Sequence, residues 1–92
     1  GLDYSTVALI ISERFEEIIL AIEEKLDRGV TILEGRGGYS GEKKQVLLCA
    51  IRRRQAPQLK SIVREIDPEA FVILQEAHQV LGEGFKRYTD DI

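Results

Sequence analysis

The chain has 92 residues and a mass of 10.4 kDa, and 43% of its residues are apolar while 32% are charged, with a net charge of −3. A chain of this length forms one small domain, and this composition excludes global disorder. No apolar run is long enough to cross a bilayer, and the amino end has no signal-peptide pattern. We therefore expect one soluble domain over residues 1–92. Because the chain contains no methionine, we expect it to be part of a longer protein.

The charged residues are unevenly distributed. The segment from Arg36 to Arg54 contains six basic residues and one acidic residue, a net +5, and the rest of the chain carries −8. A short basic segment in an acidic chain favours a small anion over a nucleic acid, which needs a broader basic face. We expect no nucleic-acid partner. For the run Arg52–Arg54 two interpretations stay open, an anion site or a cap on the exposed end of a strand.

Residues for catalysis or metal binding are scarce. Cys49 is the only cysteine and His78 the only histidine, so the chain has neither a Cys/His metal set nor a Ser/His/acid triad. It also lacks the asparagine that an acylphosphatase-like site needs. We expect no enzymatic activity, no metal and no cofactor, with Cys49 as a core residue in a reducing compartment and His78 in a structural role.

The first elements are a strand and an amphipathic helix. The continuous apolar run Val7–Ile11 predicts a strand buried on both faces, and Ser12 is predicted to be the N-cap of the following helix. Apolar residues then recur with helical spacing, which predicts a helix over residues 13–27 that ends at Gly29.

Two strands and a glycine-rich loop follow. Val30–Leu33 and Gln45–Ile51 are predicted strands, and the connection Gly35–Lys44 is longer than a tight hairpin turn. Loops of this length commonly carry function.

A second helix and a fourth strand complete the pattern. Pro57 suits the first turn of a helix that Asp67-Pro68 terminates, and Ala70–Leu74 is a predicted strand. Residues 86–92 are polar enough to fray. The order predicts an α+β, ferredoxin-like βαββαβ fold, with an antiparallel four-stranded sheet and both helices on one face.

The predicted strands are apolar at consecutive positions, although this plan leaves one sheet face uncovered. An exposed face of valine, isoleucine and leucine is adhesive, so we expect self-association through the sheets as a homotrimer, with a dimer as the alternative. Of Leu47 and Leu48, only one can point away from the helices.

Two glycine clusters, each following a strand, are the candidate ligand site. Glycine lets adjacent amides converge on an anion, and a nearby arginine supplies a planar fork suited to phosphate. The alternative is that the glycines only shape turns. The candidate residues for binding an anion or nucleotide are Gly35, Arg36, Gly37, Gly38, Tyr39, Lys43, Lys44, Gly82, Glu83 and Gly84.

Three segments, Val30–Gly41, Glu65–Val72 and His78–Phe85, closely resemble the carboxyl-terminal cytosolic domain of the YitT family of bacterial membrane proteins. The resemblance covers nearly the whole chain. It implies a domain attached to a multi-helix membrane part on the cytoplasmic face of the bacterial inner membrane. Gln79 stands where that family is expected to carry glutamate.

A more distant, fold-level resemblance links the chain to the PII signal-transduction proteins, which are trimers that bind adenine nucleotides between subunits. It implies a PII-like regulatory or ligand-sensing domain that binds a phosphate-bearing ligand, such as a nucleotide, at inter-subunit clefts. The loop after Gly35 is much shorter than the PII regulatory loop. The alternative function is a purely structural oligomerisation domain that organises the membrane part and binds no ligand.

Overall fold

The computed structural model describes residues 4–78, and these residues form a four-stranded sheet with two helices. A short 3₁₀ turn lies between the third strand and the second helix. The elements are β1 (Thr6–Ile11), α1 (Phe15–Leu26), β2 (Thr31–Arg36), β3 (Lys43–Ile51), the 3₁₀ turn (Arg53–Gln55), α2 (Ala56–Ile66) and β4 (Phe71–Glu76). The predicted βαββαβ order is confirmed.

The strands lie in the order β2-β3-β1-β4, and every neighbouring pair is antiparallel. Two βαβ units with right-handed crossovers interleave in this way, which places both helices on the same face of the sheet. The predicted ferredoxin-like arrangement is therefore correct.

The core lies between this face and the helices. Alternate residues of the two central strands are buried, while the residues between them point to the other face. Cys49 is 1% exposed and belongs to the core, as predicted. The buried apolar residues are Ala8, Ile10, Ile18, Ile22, Leu26, Leu47, Cys49, Ile51, Leu59, Ile62 and Val63.

Helix α1 starts and ends differently from the prediction. Its N-cap position is Arg14, and no side chain caps it, so the assignment of Ser12 as the N-cap is wrong. The Ser12 hydroxyl instead accepts a hydrogen bond from the Arg14 backbone N–H at 2.9 Å and donates one to Asp67 Oδ2 at 2.5 Å. The helix ends at Leu26, and its C-cap residue Asp27 adopts the left-handed conformation with φ of 57°, two residues before Gly29.

Strands β2 and β3 are longer than predicted. β2 continues through Gly35 and Arg36, because these residues pair with Lys44 and Lys43 of β3. The connection is thus confined to residues 37–42. Strand β4 also extends beyond its predicted end to Glu76, since its last residues pair with the start of β1.

No helix within residues 4–78 is both long and apolar enough to span a membrane.

Candidate functional site

The β2–β3 hairpin carries most of the predicted ligand residues. Arg36 and Lys43 are directly opposite each other and lie on the helix-side face of the sheet. Gly35 and Lys44 form the next pair, and they lie on the opposite face. The predicted group of cations is therefore divided between the two faces, with Arg36 and Lys43 together and Lys44 apart from them.

The loop of residues 37–42 is closed by its own hydrogen bonds. The Gly37 N–H donates to the Glu42 carbonyl at 2.8 Å, and the Gly41 N–H donates to the Gly37 carbonyl at 2.9 Å. Gly41 has φ of 74°, which favours glycine for the shape of the turn, and a Cβ at Gly37 would lie 2.7 Å from Ser40 Oγ and would displace that exposed hydroxyl. These two amides are occupied within the loop.

The other predicted ligand residues are at the hairpin tip or outside the described part of the chain. Tyr39 is fully exposed at the tip, and the backbone around Gly38 leaves open space where a Cβ would lie. Gly82, Glu83 and Gly84 lie outside the described residues, as does Gln79. Their participation in the ligand site remains a prediction.

The face of the sheet away from the helices is mostly apolar, and we call it the open sheet face. Its most exposed apolar residues are Phe71 at 58%, Leu33 at 43% and Ile73 at 41%, and the remaining apolar residues are half-buried by their neighbours. The register places these side chains in contiguous rows across the four strands. Its apolar residues are Val7, Leu9, Ile11, Leu33, Val46, Leu48, Ala50, Phe71 and Ile73, and its polar side chains are Thr31, Lys44 and Gln75.

A second polar cluster lies at the end of the sheet opposite the β2–β3 hairpin. It includes part of the run Arg52–Arg54, for which the sequence left open an anion site or a cap on a strand end. Arg52 contacts Tyr4, and so does Arg28 from the segment after α1. Arg53 instead forms an exposed ion pair with Glu76 at 3.6 Å. Sequence reasoning missed Tyr4 and Arg28, because the only signal is a tertiary contact across 24 and 48 residues of chain.

Asp67 joins the end of β1 to the end of α2. Its carboxylate accepts hydrogen bonds from the Ser12 hydroxyl and from the Glu69 backbone N–H at 2.9 Å. The Ser12 hydrogen bond, followed by that of Glu69, lowers the pKa of Asp67 below its usual value. Arg14 donates to the Ile66 carbonyl at 2.6 Å, next to this carboxylate.

Cys49 has the properties of a packing residue. Its thiol is 3.5 Å from the Gly29 carbonyl oxygen, and burial raises the pKa of the thiol, although the positive charge of Arg28 opposes this effect. A thiol with a raised pKa is a poor nucleophile at neutral pH. Within residues 4–78, no group of three or more potential metal ligands is present.

The fold and these surfaces define a ferredoxin-like α+β domain with one open apolar sheet face. The family described as "Uncharacterized protein conserved in bacteria (DUF2179)" matches residues 28–82. The chain belongs to this family.

Similar proteins agree with this assignment. The chain is 42% identical to the UPF0750 membrane protein YvjA of Bacillus subtilis, over 95% of this chain and 31% of that protein. It is 32% identical to the UPF0750 membrane protein YitT of the same organism, over 82% of this chain and 27% of that protein. The chain thus spans about a third of the length of these relatives, and the resemblance to the carboxyl-terminal domain of the YitT family is confirmed.

A solved structure of a DUF2179 protein from Eubacterium ventriosum has the same fold. It superimposes with a TM-score of 0.69 at 30% identity, and the alignment covers 79% of this chain and 100% of that one. A domain of this family therefore adopts the ferredoxin-like arrangement described above.

Proposed function

We propose that this domain is a self-associating module of a bacterial membrane protein, and that its copies assemble through the open sheet face at the cytoplasmic side of the inner membrane. The observation that carries the proposal is the composition of this face, to which all four strands contribute apolar side chains, while its polar side chains, Thr31, Lys44 and Gln75, lie towards its margins. Its relatives are membrane proteins of which this domain is one part, so an assembly of this domain would bring membrane parts together.

The size of the face supports this role. Four strands and the six-residue length of β1 give a surface of roughly 20 Å by 20 Å. The largest contiguous apolar patch on a monomer of ordinary size covers about 300–600 Å² and is often an interaction surface. Burying the open sheet face removes the exposed parts of Phe71, Ile73 and Leu33 from water. Because these side chains are already about half-buried in the monomer, each contributes about half of the ~1.5–3 kcal/mol that full burial of such a side chain gives.

A homotrimer is the proposed state, by analogy with the distantly similar PII proteins. Face-to-face packing of two sheets gives a homodimer as the alternative.

Sedimentation equilibrium at micromolar concentration tests the assembly. The unmodified chain is expected to sediment as an oligomer, and Leu48→Lys is expected to give a folded monomer of about 10.4 kDa. Leu20→Lys is the matched control, because Leu20 is 67% exposed on α1 and lies outside the open sheet face. A monomeric unmodified chain, or a Leu48→Lys variant that still assembles, would disprove the proposal.

A second function, ligand sensing, is favoured by the opposed cations of the hairpin. Like charges directly opposite in neighbouring strands are destabilising, and neither Arg36 nor Lys43 forms an ion pair with any carboxylate among residues 4–78. A phosphate-bearing ligand would remove this repulsion. We propose that it binds to Arg36 and Lys43, with the Gly82-Glu83-Gly84 segment contributed at an inter-subunit cleft.

Calorimetry with ATP, ADP, AMP and cyclic dinucleotides tests this function. Arg36→Ala is expected to weaken binding by about tenfold or more, which is the usual effect of losing a hydrogen bond to a charged group. Lys43→Ala should weaken binding more than Lys44→Ala, since the two adjacent lysines are on opposite faces. No binding by the intact oligomer, or equal binding by the Arg36→Ala variant, would disprove ligand binding at Arg36 and Lys43.

A further inference from the structure

Tyr4 contacts two arginine side chains at the end of the sheet opposite the β2–β3 hairpin. The phenol oxygen accepts a hydrogen bond from Arg28 Nη1 at 3.0 Å and a longer one from Arg52 Nη2 at 3.4 Å. The guanidinium carbons lie 3.9 Å and 5.1 Å from the centroid of the same ring. Two cations therefore converge on one neutral side chain.

The main chain holds the Arg28 side chain in place, and Gln55 fixes the backbone of Arg52. Arg28 Nε donates to the Ala50 carbonyl at 2.9 Å, which fixes this side chain to the end of β3. The amide of Gln55 accepts from the Arg52 backbone N–H at 2.9 Å and donates to the Leu26 carbonyl at 3.1 Å. All three members of the Tyr4 cluster are half-buried, so the cluster is organised before anything binds to it.

The charge of this cluster is not neutralised among residues 4–78. The ion pairs in this part of the chain are Arg14–Glu17 and Arg53–Glu76, and neither involves Arg28 or Arg52. Glu23 and Asp27 border Arg28 in a shallow depression, but neither carboxylate lies within 4.0 Å of the guanidinium. A structural role in packing Tyr4 would require only one arginine, and adding the second costs electrostatic repulsion.

The hydrogen-bond donors of the cluster are mostly unused by the contacts described. A guanidinium has five N–H groups, of which Arg28 uses two and Arg52 uses one in the bonds given above. The Tyr4 hydroxyl accepts from both arginines and retains its own proton for donation. Donors from three side chains suit a tetrahedral oxyanion with several oxygens better than a planar carboxylate, which one arginine can satisfy.

We propose that Arg28, Arg52 and Tyr4 form a binding site for a phosphate group. The phosphate would receive N–H donors from both guanidiniums and the O–H of the phenol, and it would compensate their repulsion. The group belongs either to a soluble phosphate compound or to the headgroup of an anionic phospholipid, because both present the same oxyanion. The site is separate from Arg36 and Lys43 and does not depend on the proposed function.

Titration with inorganic phosphate at constant ionic strength, followed by the NMR signals of the arginine Nε–H groups, tests the site. The Arg28 and Arg52 signals are expected to shift together. Arg52→Gln should weaken phosphate binding by about tenfold or more, and Tyr4→Phe by a smaller factor. Arg54→Gln is the matched control, since it removes the same charge from an exposed neighbouring residue and should leave the affinity unchanged.

Sedimentation with vesicles distinguishes the two sources of phosphate. If the headgroup is the ligand, vesicles of phosphatidylcholine with phosphatidylglycerol should retain the unmodified chain and the Arg54→Gln variant but not Arg52→Gln, and pure phosphatidylcholine vesicles should retain none. If only soluble phosphate binds, the titration is positive and the vesicles retain nothing. Either result supports the site.

Two results would overturn it. One is the absence of binding in both experiments, and the other is an equal loss in the Arg54→Gln and Arg52→Gln variants, which would indicate a general charge effect. Circular dichroism checks that Arg52→Gln folds. If it does not, Arg52→Lys keeps the charge without the planar fork, and unchanged affinity in that variant would also overturn the geometry proposed for the site.

Discussion

The two faces of the sheet are lined by similar residues but have different environments. Leu47 is completely buried beneath the helices, whereas Leu48 lies on the open sheet face, where its neighbours only partly cover it. The same alternation makes Cys49 a core residue and places Ala50 on the open face. An apolar composition therefore does not distinguish residues that hold the domain together from residues that are available to bind another copy.

The largest difference between the faces should appear in folding stability. Leu47→Ala is expected to lower the free energy of unfolding by about 2–5 kcal/mol, because it leaves a cavity in a closely packed core. Leu48→Ala should lower the free energy of unfolding of the monomer by less, since the surroundings of Leu48 are open to solvent. Urea denaturation measures the two losses of stability. Leu47→Ala is measured in the monomeric Leu48→Lys background, and Leu48→Ala is measured at high dilution. Equal losses would mean that the open face is covered within the monomer.

Thiol labelling compares the next pair of residues. In the native chain Cys49 is expected to react slowly with a thiol reagent at neutral pH and to become reactive on unfolding, since burial both shields the thiol and raises its pKa. Moving the thiol by one residue, in the double variant Cys49→Ala with Ala50→Cys, places it on the open sheet face.

That relocated thiol should react quickly when the protein is dilute and more slowly as the protein assembles. Rapid labelling of native Cys49 would contradict its assignment to the core. A rate for the relocated thiol that is independent of protein concentration would contradict burial of the open face in an assembly.

The smallest expected effect is a pH dependence of folding stability that comes from Asp67. Hydrogen bonding lowers the pKa of Asp67 in the folded state. Its contribution to folding stability is therefore fully present above the pKa of the unfolded state, about 3.9, and is lost as the pH falls through the lower pKa of the folded state. Ser12→Ala removes the largest cause of the shift, so it should lower the melting temperature at pH 7. The difference from the unmodified chain should shrink in acid.

Melting curves from pH 7 to pH 2 measure this effect, with Ser61→Ala on the exposed side of α2 as the control. A constant difference over the whole range would mean that Ser12 acts by packing and not through the Asp67 carboxylate.

The candidate site shows which features local sequence patterns can predict and which they cannot. The sequence identified the hairpin because glycines and cations cluster there within a few residues. It did not determine which cations act together, since that depends on strand register. The pairs Arg36–Lys43 and Gly35–Lys44 place neighbouring lysines on opposite faces. Ser12 was misassigned for a similar reason, because its hydroxyl has a partner 55 residues away in Asp67.

The sequence by itself determined the order of the elements, the ferredoxin-like topology and the family, because helical and strand periodicity and the three family segments are local properties of the chain. Only the tertiary structure decided which half of each apolar strand is covered, since a continuous apolar run has no alternation that marks its two faces. The tertiary structure also brings Tyr4, Arg28 and Arg52 into contact, although they are far apart in the chain. They are in contact because the end of α1, the start of β1 and the end of β3 lie close together in the fold. No local sequence pattern encodes that contact.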